Sequence, residues 1–110
     1  MREQDSFDYY LACRNRQVES HKPQSAILLI GGAEGDQSGE DAATRWFLEK
    51  ARGGKYLVLR VGGVGTQADW ICRNYKGWVS VAAELSIDSR EAAEDPEVID
   101  YIRGADLLFI

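Results

Sequence analysis

Tyr56-Leu57-Val58-Leu59-Arg60-Val61-Gly62-Gly63-Val64-Gly65-Thr66-Gln67-Ala68 passes from an apolar run into a glycine cluster and then into a helix start. Tyr56 to Val61 lacks sustained polar alternation, as expected of a strand covered on both faces. The glycines end it, and Thr66 to Tyr75 reads as a short helix closed by Gly77. Strand, glycine turn, helix is the unit of an α/β fold.

The unit recurs on either side. Upstream, Ala26 to Ile30 reads as a first buried strand, ended by Gly31 and Gly32. Ala33 to Gly39 is a glycine and acid loop, and Ser38 with Asp41 fits a capping box. Ala43, Trp46, Phe47 and Ala51 then recur at helical spacing until Gly53 and Gly54 stop the helix. Downstream, Val79 to Ile87 is a third strand. Asp95 is an N-cap with Pro96 at the first helical position. Val98, Ile99 and Ile102 form the inner stripe of that helix, Gly104 ends it, and Leu107 to Ile110 is a fourth strand. The alternation predicts a parallel, doubly wound sheet with helices on both faces, of the flavodoxin-like or class I glutamine amidotransferase-like kind. An apolar fourth strand with no covering helix after it leads us to expect the front portion of a larger domain, cut after that strand. Residues 1–25 read as an N-terminal arm and linker, and 26–110 as the incomplete α/β domain.

Composition narrows the function classes. The 110 residues carry a formal net charge of -5, and no basic cluster suggests a nucleic-acid partner. The longest apolar run is too short to cross a bilayer, and the polar N-terminus lacks a signal-peptide core. Cytoplasmic residence is the expectation. Cys13 and Cys72 are the only cysteines and read as free thiols. With His21 as the lone imidazole, neither a metal site nor a cofactor is expected.

Two glycine clusters are candidate pocket walls. Gly31, Gly32 and Glu34 lie after the first strand, and Gly65 and Thr66 after the second. Glycine there lets a backbone approach a ligand, although sharp turns need glycine as well. Gly63-Val64-Gly65-Thr66-Gln67-Ala68 also matches the dinucleotide pattern Gly-x-Gly-x-x-Ala, with Asp88 after the next strand. A nucleotide-binding half-domain is therefore an alternative, although the fingerprint usually opens its unit and here sits on the second strand. Ser89 lacks the glycine elbow of a nucleophile and reads as a turn cap near Asp88 and Arg90. His21 lies in a linker and is not expected to act as a base.

Several of these stretches together resemble one family. Ile27-Leu28-Leu29-Ile30-Gly31-Gly32-Ala33, then Asp41, Ala42 and Trp46, is similar to the opening of the cyanophycinases, which group with dipeptidase E among serine peptidases. The more specific segment is Ile87-Asp88-Ser89-Arg90-Glu91-Ala92-Ala93, with Asp95-Pro96, Val98, Ile102-Arg103, Ala105 and Leu108-Phe109-Ile110. The aromatic lead-in Phe7 to Leu11 also looks like the arm of this group. The resemblance implies a serine nucleophile on a glycine-flanked elbow, an acyl-enzyme, and hydrolysis of multi-arginyl-poly-aspartate or aspartyl peptides. No cofactor is expected, and the exposed apolar edge of a truncated sheet leads us to expect a homo-oligomer, either a dimer native to the family or a consequence of the truncation. The family's oxyanion loop and elbow follow the fourth strand, so no catalytic residue carries over to this chain, and the 110 residues alone are expected to be inactive. The chain departs from the family at Ala33-Glu34, where a third glycine and an aspartate are usual, and at Gln67, where an aspartate usually follows the threonine. A non-catalytic interaction module on the same fold is the remaining alternative.

Overall fold

The computed structural model describes residues 7–27 and 37–110, with backbone alone for 37–40. The elements are β1 (Phe7–Arg14), α1 (Gln37–Glu49), β2 (Gly54–Arg60), α2 (Gln67–Asn74), β3 (Val79–Ile87), α3 (Arg90–Ala93), α4 (Pro96–Gly104) and β4 (Leu107–Phe109). The four strands form one sheet in the order β1-β3-β2-β4. β2 runs parallel to both β3 and β4.

Period-2 alternation along the central strands builds a core on each face of the sheet. Tyr56 and Val58 of β2 pack with Val79 and Ala82 of β3, Leu48 and Ala51 from the α1 side, and Ala68 and Ile71 of α2. Leu57, Ala83 and Leu85 face the other way, against Val98 of α4. The α/β class follows from this layering. Asp106 secures the short fourth strand: its N–H donates to the Lys55 carbonyl at 2.9 Å, and its Oδ2 accepts from the Lys55 N–H at 2.9 Å.

The local end signals act where the sequence puts them. Asp95 accepts from the Glu97 N–H at 2.9 Å with Pro96 behind it. Ser89 caps α3 by accepting from the Ala92 N–H at 3.0 Å. The segment after β1 lies over the end of α1, where the His21 N–H donates to the Arg52 carbonyl and the Gln24 N–H to the Lys50 carbonyl.

Four expectations are corrected. The sheet is not wholly parallel, because Phe7–Arg14, read as an arm, forms β1 and pairs antiparallel with β3. Ala26 and Ile27 lie outside any strand, with Ile27 83% exposed, and β2 pairs directly with β4. The rest of that expected strand, Leu28 to Ile30, lies outside the described residues. α1 begins at Gln37, ahead of Ser38. Asp41 accepts from the Tyr75 hydroxyl at 2.8 Å. On the same helix Trp46 is exposed with Lys50 over its ring, while Thr44 and Leu48 turn inward.

Cys13 and Cys72 are not free thiols. They form a disulfide between β1 and α2, with Cα atoms 6.1 Å apart. The reading as thiols rested on compartment; the pairing comes from a sheet edge and a helix that the fold brings together. Among the described residues no helix is long and apolar enough to cross a membrane.

Leu85 is fully buried between β3 and α4, whereas Leu108 on edge strand β4 is 37% exposed. Leu85→Ala is expected to cost about 2–5 kcal/mol in urea unfolding, and Leu108→Ala about 1 kcal/mol or less. Equal losses at the two positions would contradict this assignment of the core.

Candidate functional site

The parallel strands β2, β3 and β4 deliver their carboxyl ends to one edge, where open α/β sheets place their ligands. Arg60 ends β2 there, and Gly62 to Thr66 lead into α2. Gly62 and Gly63 have φ of 88° and 103°, a region that disfavours a side chain.

Three polar residues two apart hold this loop from below: Glu84 and Ser86 of β3, and Asp88 just past its end. Asp88 Oδ1 accepts from the Gly62 N–H at 3.1 Å and from the Ser86 hydroxyl at 3.3 Å. Ser86 Oγ accepts from the Gly63 N–H at 2.7 Å. Glu84 Oε1 accepts from the Gly65 N–H at 2.5 Å, and its Oε2 from the Ala68 N–H at 2.9 Å. Glu84 and Ser86 are both fully buried. A carboxylate with no water contact is costly unless several donors meet it. Here two backbone N–H groups at the positive end of α2 do so, with Arg60 Nε 3.9 Å away.

Arg60 in turn lies over Gly65, where a Cβ would collide with Nη1 of its guanidinium. Gly65 has no positive φ, and a side chain there would displace the Arg60 guanidinium from over the loop. Tyr56 sits beneath this cluster. Burial pushes its hydroxyl up to about 12, opposed by a hydrogen bond with Gln67 and reinforced by the Glu84 charge.

On the α4 side of the same edge lies an open cleft of about 590 Å³. Leu59, Ile87 and Ile110 supply its apolar lining, and Arg60, Asp88 and Ser89 its polar groups. A groove at the opposite edge, about 620 Å³, is lined by His21, Glu19, Lys22, Glu49 and Arg52 among others. His21 therefore lies apart from the glycine loop. Among the described residues no group of three His, Cys, Asp or Glu could hold a metal ion.

Of the expected rim residues, Gly65 and Thr66 stand at the carboxyl edge, Thr66 exposed and without a side-chain capping bond. Gly31, Gly32 and Glu34 lie outside the described residues. Asp88 holds the loop through Gly62 and Ser86. Glu84 and Ser86 were not singled out by sequence reasoning. Their signal was a run of polar residues, Ser80, Glu84 and Ser86, at alternate positions of a strand with apolar neighbours, in phase with Asp88.

No family model matches the chain, and neither a curated protein nor a solved structure matches it.

Two outcomes check this geometry. Glu84→Gln turns an amide NH₂ toward backbone donors and is expected to cost about 2–4 kcal/mol in urea unfolding; an unchanged midpoint would refute the clamp. Alkaline titration tests Tyr56. Its folded pKa lies above the unfolded value near 10, so its contribution to stability is full below about pH 10 and disappears as pH rises toward 12. Tyrosinate absorbance should show one phenol ionising near 12 or with unfolding, and Tyr56→Phe should remove it.

Proposed function

We propose that this chain forms the front part of a cyanophycinase-like serine peptidase, which hydrolyses multi-arginyl-poly-aspartate or aspartyl peptides through an acyl-enzyme. The reading rests on the resemblance of the segment from Ile87 to Ile110. The observation that supports it is the course of that segment: β3 ends at Ile87, Ser89 and Asp95 cap α3 and α4, and Leu107–Phe109 returns parallel to β2. That course is the one a doubly wound sheet needs to bring a following loop to the carboxyl edge. On this reading Gly65 and Thr66 belong to the pocket rim, together with Gly31, Gly32 and Glu34. The nucleophile is assigned to sequence after Ile110, since Ser86 is buried beneath the loop and Ser89 is engaged as a cap.

The nucleotide alternative is disfavoured by the direction of the loop's amides. A phosphate needs outward N–H groups at the helix start. Those of Gly62, Gly63, Gly65 and Ala68 already donate to Asp88, Ser86 and Glu84. Self-association belongs to the proposal as well: β4 is a sheet edge with Leu108 and Ile110 exposed, and such an edge can pair with a second copy.

The test compares two purified proteins on multi-arginyl-poly-aspartate: the 110 residues, and the same reading frame continued past Ile110. Release of β-Asp-Arg is expected only from the longer protein and should stop with a serine-directed sulfonyl fluoride. Turnover by the 110 residues alone, a longer protein without a Gly-x-Ser-x-Gly elbow, or quenching of Trp70 fluorescence by ATP or NAD would each reject the reading.

A further inference from the structure

The disulfide depends on an irregularity in β1. Antiparallel partners share a face of the sheet. Phe7 opposite Ile87 and Leu11 opposite Ala83 mark the α4 face, as does Tyr9, whose ring stacks on Tyr101 of α4 with centroids 4.0 Å apart. Tyr10 opposite Glu84 marks the α2 face, and its hydroxyl donates to Asp69 of α2 at 2.9 Å. Regular alternation would put Cys13 opposite Val81, on the α4 side and away from Cys72. The register instead slips between Leu11 and Cys13, so that Ala12 is an extra residue and Cys13 stands opposite Ala82. Ala82 belongs to the core under α2, and Ala12, Cys13 and Cys72 all pack against that core. The bulge turns the thiol to the face where its partner lies.

The bridge spans β3. β1 is hydrogen-bonded to β3, α2 packs across it, and Cys13–Cys72 joins the two. α2 is therefore fastened at its start, where the Ala68 N–H meets Glu84 and Asp69 accepts from Tyr10, and near its end, where Cys72 is bonded to the edge strand. The first fastening is the same one that holds the glycine loop. Both cysteines are partly buried rather than enclosed.

We propose that Cys13–Cys72 is a reversible redox staple that sets the rigidity of the Gly62–Ala68 loop. A thiolate of a dithiol reductant attacks one Sγ and displaces the other cysteine as a thiolate. The reductant's second thiol then closes its own disulfide on the mixed intermediate. Two electrons and two protons pass to the protein, leaving Cys13 and Cys72 as thiols. β1 then keeps its ladder, the packing of Phe7 and Ala12, the Tyr9–Tyr101 stack and the Tyr10–Asp69 bond, and α2 loses its covalent anchor. The inference concerns loop mobility and does not depend on the peptidase reading.

Amide hydrogen exchange on the native 110-residue chain, with and without dithiothreitol, tests it. The air-oxidised chain should offer no thiol to an alkylating reagent, and two after reduction. Reduction should speed exchange by about tenfold or more in Phe7–Arg14 and at Gly65 and Ala68, with β2 and β4 little changed. Glu84→Gln should speed exchange at Gly65 and Ala68 while leaving β1 protected, which separates the two fastenings. Deleting Ala12 should straighten β1 with Cys13 next after Leu11 and still opposite Ala82, so no thiol should be alkylatable under air; reduction of the native chain serves if that variant does not fold. Two reactive thiols in the air-exposed native chain, or a fully reduced chain with unchanged protection at Gly65 and Ala68, would overturn the proposal.

Discussion

The carboxylate of Glu84 is the constraint around which the carboxyl edge is arranged. It lies fully buried on a central strand, so it must be met by donors from every side it presents. The Gly65 and Ala68 amides supply them only if the chain turns tightly after β2 and starts a helix at once. The glycines make that turn possible, and Arg60 folds over Gly65 to add a positive charge nearby. Strand, loop and helix are thus positioned by one buried group, and Ser86 and Asp88 extend the same role along β3.

This arrangement changes what the glycine loop means. A loop that offers its amides outward is an anion cradle. Here the anion is part of the protein, and the loop is a stiffened wall. A wall suits the rim of a pocket completed by other segments, and the nearby cleft, with Leu59, Ile87 and Ile110 beside Asp88 and Ser89, has the mixed character of such a rim. The cyanophycinase-like proposal uses the edge in this way, as scaffold and boundary rather than as the source of a nucleophile.

The edge strand β1 connects this wall to redox chemistry through geometry alone. One extra residue, Ala12, moves Cys13 off the face that Leu11 occupies and onto the opposite one. The same slip places a half-buried sulfur against α2, the helix whose first turn the Glu84 carboxylate holds. A local change in strand register is therefore felt at the far end of a helix.

Much of the layering was legible in the sequence because its signals are local. An apolar run ended by glycine marks β2, a β-rich run after Gly77 marks β3, and Asp95-Pro96 and Ser89 mark helix starts through bonds that span only two or three residues. The place of Gly65 and Thr66 at the carboxyl edge, between β2 and α2, was legible as well. The direction of β1, its bulge, the Cys13–Cys72 bond and the inward pull of Glu84 were not. Each joins residues far apart in the chain: Cys13 and Cys72 are 59 apart, and Gly65 and Glu84 are 19 apart. The amino-acid sequence by itself determined the strands and helices that follow α1 and where most of them stop, because backbone propensity and capping act within a turn; it did not mark β1. Only the tertiary structure decided which strand lies beside which, which face each polar side chain meets and whether the loop amides look outward or inward, because those outcomes depend on burial and on partners that sequence spacing does not bring together.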